Sequence, residues 1–152
     1  MVNKVKINVQ GTGTSHTRTD LLAGPSGEFC LISDEPPVRG GNNEGMLPLE
    51  VFLAGYIACT NVIMNIIAHE LGITFSEVTF KATGHLNPLG YMGKEKLSTP
   101  FIKLELTVSG NYSGEDEQLD ELREQLVWRC PAAATLASSG TEILDIWNLV
   151  KI

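Results

Sequence analysis

The sequence predicts an α+β fold in which antiparallel sheets pack on one long, buried central helix. The first observation is an apolar stretch over residues 47–72 that carries helix start and stop signals. The second is that segments on both sides of it alternate apolar and polar residues, which is the period of half-buried strands. The third is that strand and helix do not alternate as repeated βα units. We therefore expect a single α+β domain over residues 1–152.

Three short strands are predicted at the start of the chain, over residues 4–10, 15–21 and 28–33. Alternating valine and isoleucine support the first, and a Gly/Pro turn precedes the third, so the three form an antiparallel meander. An irregular stretch with two prolines and three glycines follows, over residues 34–46. Because loops on rigid scaffolds often carry function, this stretch is a candidate wall of a site, although an exposed connection is the commoner fate of a loop.

The central helix is predicted between two clear signals. Pro48 suits a first helical position, Glu50 places negative charge in the positive first turn, and Gly72 ends the helix. Its apolar residues cover the whole circumference, which predicts burial on all sides. A membrane span is the alternative, since about 20 apolar residues suffice to cross a bilayer. Asn61 and Asn65 near the centre disfavour a span, so we expect a buried helix and no membrane association.

Polar residues inside this helix leave two interpretations open. Thr60, Asn61 and Asn65 follow Cys59, and together they could line a pocket or meet a second subunit. Alternatively, the two amides bond locally to backbone groups of the same helix.

The second half of the chain begins with two strands over residues 77–82 and 102–109, the latter with one apolar and one polar face. A helix is predicted to start near Ser113, whose hydroxyl can cap it, and to end at Cys130. Pro131 then opens a short helix, because proline disfavours helical structure in the residue before it.

A closing strand is expected over residues 141–152. Alternation divides it into two faces, one with Ile143, Asp145, Trp147 and Leu149 and the other with Leu144, Ile146, Asn148 and Val150.

Composition excludes several functions. The net charge of −7 and a pI near 4.9 disfavour a nucleic-acid partner, which would require a basic face. The N-terminal residues lack the apolar region of a signal peptide, so we expect a cytoplasmic protein. Three cysteines without CxxC spacing, and three scattered histidines, predict neither a metal site nor a bound cofactor. The cysteines are therefore expected to matter through their reactivity.

The two cysteines of interest differ in their local setting. Cys130 is predicted at the N-cap of a helix, where backbone N–H groups and the helix dipole favour a thiolate. Cys59 lies about 11 residues, or roughly 16 Å, inside its own helix, so that helix end cannot activate it. We expect Cys59 to need a cation from elsewhere, and we expect Cys30, on a strand, to be a packing residue.

Three motifs together resemble the OsmC/Ohr family of thiol peroxidases, and most strongly its OsmC-like branch. They are the sequence PLEVFLAGYIACT over residues 48–60, the preceding Asp34-Glu35-Pro36 and Gly40-Gly41 loop, and Cys130-Pro131. They occur in the family's order and cover nearly the whole chain. The resemblance implies an OsmC-like fold and an intertwined homodimer with sites at the subunit interface.

The resemblance also implies the reaction and its residues. It points to a cysteine-based peroxidase for organic hydroperoxides, active in oxidative stress, with Cys59 as the peroxidatic thiol, Cys130 as the resolving thiol and a thiol or dithiol as reductant. By the same comparison Arg18, with Arg39 as the second choice, would assist the thiolate. The family's acid falls on the position before Glu50, so Glu50 departs from the pattern by one residue, about 100° round the helix.

Two other functions remain open at this point. A dimeric small-molecule-binding protein of the same fold would leave Cys59 and Cys130 as inert packing residues. A persulfide sulfur-transfer protein would use Cys130 alone, although Ala132 and Ala133 stand where sulfur carriers have a second proline.

Overall fold

The computed structural model describes residues 4–152, so residues 1–3 of the predicted domain lie outside the described part. The element order confirms the α+β class. The strands are β1 (Val9–Gly13), β2 (Thr19–Ala23), β3 (Phe29–Ser33), β4 (Thr74–Leu86), β5 (Phe101–Ser113) and β6 (Glu142–Lys151). The α-helices are α1 (Pro48–Leu71), α2 (Pro88–Tyr91), α3 (Asp116–Arg129) and α4 (Pro131–Ser138).

The chain divides into two compact units, one ending at Phe52 and one comprising Leu53–Ile152. Helix α1 begins in the first unit and continues in the second. The expectation of a single domain over residues 1–152 stays a prediction.

The N-terminal unit contains the predicted antiparallel meander, with strand order β1-β2-β3. Strand β1 begins at Val9, later than the predicted residue 4. The reason is the register: Val9 pairs with Ala23, the last residue of β2, so residues 4–8 lie beyond the end of this ladder.

The loop after β3 is organised around Asp34, which is only 1% exposed. The hydroxyl of Thr17 and the backbone N–H of Glu35 donate to one carboxylate oxygen, at 2.8 and 2.9 Å. The N–H groups of Asn42 and Glu44 donate to the other oxygen, at 2.9 and 3.2 Å. Burial alone would raise the pKa of Asp34, but these four donors hold it at about 2. The predicted irregular stretch is therefore an ordered loop built on an ionised aspartate.

Two glycines let this loop fold tightly. A Cβ atom at Gly41 would lie 1.8 Å from the backbone oxygen of Glu35, and one at Gly45 would lie 2.2 Å from that of Ile32. No side chain fits at such distances, so both positions require glycine for close backbone approach.

The C-terminal unit contains a sheet of strand order β4-β5-β6. Strands β4 and β5 are antiparallel, whereas β6 pairs with β5 in parallel, with Leu106 opposite Asp145. The parallel pairing is possible because α3 and α4 lie between β5 and β6 and carry the chain back to the other end of the sheet. The buried face of β5 is the predicted one, with Leu104, Leu106 and Val108 at most 1% exposed.

Helix α3 starts later than predicted. Ser113 is the last residue of β5, where it pairs with Thr74, so it does not cap the helix. The N-cap is Glu115, which forms a capping box with Gln118. The helix start is displaced because β5 continues through Ser113, the residue predicted to cap the helix.

Helix α1 is buried along one face of the single chain. The buried residues are Tyr56, Thr60, Met64, Ile67 and Ala68. Val62 and Ile66 are 56% and 44% exposed. The predicted burial of this helix on all sides is therefore not found within one chain. Among residues 4–152, this is the one helix long and apolar enough to cross a membrane by length and composition.

The two asparagines of this helix bond to each other locally, as the second interpretation predicts. The side-chain amide of Asn65 donates to the backbone carbonyl of Asn61 at 2.9 Å and to its side-chain oxygen at 3.1 Å. Both residues are exposed in the single chain.

Candidate active site

The two cysteines singled out from the sequence lie in contact. The sulfur atoms of Cys59 and Cys130 are 3.3 Å apart, although 71 residues separate them in the chain. A disulfide bond is about 2.05 Å long, so the sulfurs need to approach by little more than one ångström to bond. The structure thus places a dithiol in the C-terminal unit.

The position of Cys130 follows from the helix break predicted at Pro131. Cys130 is at once the C-cap of α3 and the N-cap of α4. Its N–H donates to the carbonyl of Leu126 at 3.0 Å, and its carbonyl accepts from the N–H of Ala134 at 2.9 Å. Its backbone is therefore held by both helices, and its sulfur is directed to α1.

Two polar contacts fasten α3 to the end of α1. The guanidinium of Arg129 donates one hydrogen bond to each carboxylate oxygen of Glu70, and the bond to Oε1 is 2.8 Å long. This pairing lowers the pKa of Glu70. The side-chain amide of Gln118 donates to the carbonyl of Leu71 at 2.7 Å. Because Arg129 directly precedes Cys130, the ion pair helps to fix Cys130 against α1.

The start of α4 donates a hydrogen bond to the sulfur of Cys59, whereas the sulfur of Cys130 makes no capping hydrogen bond there. Burial raises the pKa of Cys59, while a backbone N–H of Ala132, in the first turn of α4, donates to its sulfur and acts in the opposite direction. A negative charge on the adjacent Cys130 would raise the pKa further, because two thiols in contact resist being ionised together. The net result is that the pKa of Cys59 is raised. The end of α1 itself does not act on Cys59, as predicted from its distance, but the help from elsewhere is the backbone N–H of Ala132 rather than the expected cation.

Cys130 is completely buried, at 0% exposed. Its sulfur lies 3.9 Å from the hydroxyl oxygen of Thr60, which is itself 1% exposed. Cys59 is half-buried. A reagent from solution therefore reaches Cys59 more readily than Cys130.

The arginines predicted to assist are both engaged within the N-terminal unit. Arg18 pairs with Asp20 at 2.7 Å and also with Glu44. These hydrogen bonds raise the pKa of Arg18 and lower that of Asp20. Arg39 pairs with Glu35 at 3.1 Å and its side chain is 57% exposed.

Glu50 has a clear local partner. Its carboxylate accepts a hydrogen bond from the N–H of Leu47 at 2.9 Å and thereby caps the start of α1. Cys30 is exposed on β3, so its predicted packing role is not met within the described residues of the single chain.

A metal centre has no obvious ligands. No group of three or more histidine, cysteine, aspartate or glutamate side chains among residues 4–152 could hold a metal ion. The chemistry available in the C-terminal unit is that of the two thiols.

The sequence matches the model of a known protein family. This family, OsmC-like protein, matches over residues 41–143, which include α1, Cys59, Cys130 and the start of β6. The chain belongs to the OsmC-like protein family. A search of curated proteins finds no match.

Solved structures share the fold of this OsmC-like protein over nearly its whole length. A crystal structure of an OsmC-like protein from Mycoplasma pneumoniae has a TM-score of 0.80 at 20% identity, covering 97% of this chain and 99% of that one. An organic hydroperoxide resistance protein from Elizabethkingia anophelis has a TM-score of 0.68 at 21% identity, with the same coverage. One from Legionella pneumophila has a TM-score of 0.66 at 16% identity, covering 97% and 99%. At these identities the comparisons show the fold alone.

Proposed function

We propose that this OsmC-like protein is a thiol-dependent peroxidase that reduces organic hydroperoxides through Cys59 and Cys130. The observation that carries the proposal is the 3.3 Å distance between the two sulfur atoms. One sulfur is half-buried and receives a backbone N–H, and the other is fully buried behind it. This is the arrangement that a peroxidatic and a resolving cysteine need.

In the first step the thiolate of Cys59 attacks the terminal oxygen of the hydroperoxide. The O–O bond breaks, Cys59 becomes a sulfenic acid, and the alkoxide leaving group takes a proton and departs as an alcohol. The Ala132 N–H directed at the sulfur stabilises the thiolate before the attack.

In the second step the sulfur of Cys130 attacks the sulfenic sulfur of Cys59. The S–S bond forms, the S–O bond breaks, and the hydroxide combines with the proton of Cys130 to leave as water. A thiol or dithiol reductant then supplies two electrons and two protons to restore both thiols. The sum is one hydroperoxide reduced to alcohol and water for each pair of reductant thiols oxidised.

The remaining residue roles are proposals carried by the family resemblance. Arg18, with Arg39 as the second choice, would assist the thiolate, and Glu50 stands one residue from the family's acid. The names of the Elizabethkingia and Legionella proteins, both organic hydroperoxide resistance proteins, support the substrate class.

The sulfur-transfer alternative has less support. A persulfide carrier must expose its sulfur to donor and acceptor, whereas Cys130 is 0% exposed and lies against Cys59.

We propose in addition that the protein is a homodimer. Val62 and Ile66 form an exposed apolar stripe on α1, and such surfaces commonly mark interfaces. Val62→Asp should shift the wild-type dimer towards monomer in light-scattering measurements of molar mass, because the new charge would be buried without a partner. The control Lys81→Asp, at an exposed position on β4, should stay dimeric. A monomeric wild type would contradict the assignment.

The test of the peroxidase function is turnover with a dithiol reductant on two substrates, an alkyl hydroperoxide and hydrogen peroxide. We expect a kcat/KM for the alkyl substrate about tenfold or more above that for hydrogen peroxide, because Cys59 packs against the apolar core. Cys30→Ser, which removes only the exposed thiol, should keep full activity. Absence of turnover with both substrates, or preference for hydrogen peroxide, would argue against the proposed function.

A further inference from the structure

A second feature of the C-terminal unit has no part in the thiol chemistry. A cavity of about 260 Å³ lies between α1, the two C-terminal helices and the sheet. Its walls include Tyr56, Leu106, Leu126, Ala133, Ile143 and Asp145. Neither Cys59 nor Cys130 is among its lining residues. The cavity is thus apolar, with a carboxylate and a phenol in its wall.

Asp145 is the unexpected member of this wall. It occupies the face of β6 that also carries Ile143, Trp147 and Leu149, which pack against the core. Its Oδ1 atom is buried and has no hydrogen-bond partner among the described residues. Burial raises the pKa of Asp145, and burial together with the negative charge of Asp145 raises the pKa of Tyr56. Asp145 as a whole is half-buried, but an oxygen buried without a partner costs stability, so Oδ1 on this strand face indicates a role other than folding.

The surroundings of Asp145 are acidic. Asp120, Arg123, Glu124 and Val127 line an open depression next to the cavity, and Val127 and Asp145 belong to both. The single cation there, Arg123, donates to Asp120 at 3.2 Å and lies 5.8 Å from the ring centre of Trp147. Arg123 also acts on Asp145, where its charge opposes the rise of the pKa that burial causes. Three carboxylates around the opening outnumber this one cation and attract a positive ligand.

We propose that this cavity binds an organic ammonium ion, with the apolar body in the cavity and the ammonium group donating to Asp145. An engineered apolar cavity of about 150 Å³ accepts benzene, so the larger cavity here has room for an aryl ring with a short alkyl chain. The ligand would supply the partner that Oδ1 lacks, and its charge would match the carboxylates at the opening. Neither reactive sulfur lines this site, although Thr60 in its wall also contacts the Cys130 sulfur, and the proposed binding does not depend on peroxidase activity.

Calorimetric titration with phenethylammonium and with phenethyl alcohol, in a phosphate buffer free of amines, tests this assignment. The two probes have nearly the same shape but differ in charge. Wild type should bind the ammonium saturably and the alcohol about tenfold or more weakly, since a hydrogen bond between charged groups is the stronger one. Cys59→Ser should bind the ammonium as wild type does, whatever its effect on thiol chemistry.

Asp145→Asn keeps the side-chain shape and should weaken ammonium binding about tenfold or more. Glu142→Gln, which neutralises an exposed carboxylate on the same strand, should bind normally. The thermal midpoint of Asp145→Asn without ligand should equal or exceed that of wild type, because a buried charge is removed. Equal affinity for the two probes, no saturable binding, or unchanged binding by Asp145→Asn would each overturn the proposal. The comparison of probes on wild type stands even if the variant does not fold.

Discussion

Replacement of Cys59 by serine is expected to abolish hydroperoxide reduction. The hydroxyl of serine does not ionise near neutral pH and cannot form a sulfenic acid, so no later step can begin. Loss of an enzymatic nucleophile commonly lowers kcat by about four orders of magnitude or more, and we expect a comparable loss here. The measurement is steady-state consumption of an alkyl hydroperoxide with excess dithiol.

The matched control for this experiment is Cys30→Ser, which removes one thiol from an exposed strand position. Circular dichroism should show that both variants are folded, because serine is close to cysteine in size. Substantial peroxidase activity in Cys59→Ser would mean that another group attacks the peroxide, and the roles assigned to the two cysteines would be wrong.

Replacement of Cys130 by serine is expected to stop the reaction after its first step. Cys59 should still be oxidised, but its sulfenic acid should persist, because serine at 3.3 Å cannot replace the attacking thiol. We expect one oxygen atom added at Cys59, trapped by a sulfenic-acid reagent, and loss of the fast intramolecular disulfide step. Turnover that depends on disulfide formation should be lost almost entirely.

The same variant isolates the pH dependence of the first step. Because burial raises the pKa of Cys59, the thiolate fraction at neutral pH is smaller than for a free thiol. The single-turnover oxidation rate of Cys130→Ser should therefore rise as pH increases and level off only above that pKa. A rate that is constant from neutral to alkaline pH would show that Cys59 is already ionised. Disulfide formation between Cys59 and Cys30 in this variant would contradict the resolving role.

Local signals in the sequence predicted much of the fold. Pro48, Glu50 and Gly72 marked the long helix, and Pro131 marked the break that holds Cys130. Alternation identified the buried face of β5. These signals act within a few residues of the elements they define, so one sequence suffices to recognise them.

Features that depend on distant contacts could not be predicted in this way. The donor to Cys59 comes from Ala132, and only the folded chain brings that helix start to α1. The parallel pairing of β6 and the one-sided burial of α1 depend on the arrangement of whole elements. The sequence analysis assigned Asp145 only to a strand face, because its unpartnered oxygen can be recognised only once the neighbouring helices are in place.

The central claim is that Cys59 and Cys130 act as one redox pair, and a thiol count tests it most directly. Wild-type protein is treated with one equivalent of an alkyl hydroperoxide, and free thiols and intact mass are then measured. We expect two of the three thiols to disappear, leaving Cys30, with a mass decrease of two hydrogen atoms and a peptide that links Cys59 to Cys130. Three free thiols after treatment, or a stable added oxygen without the disulfide, would contradict the account.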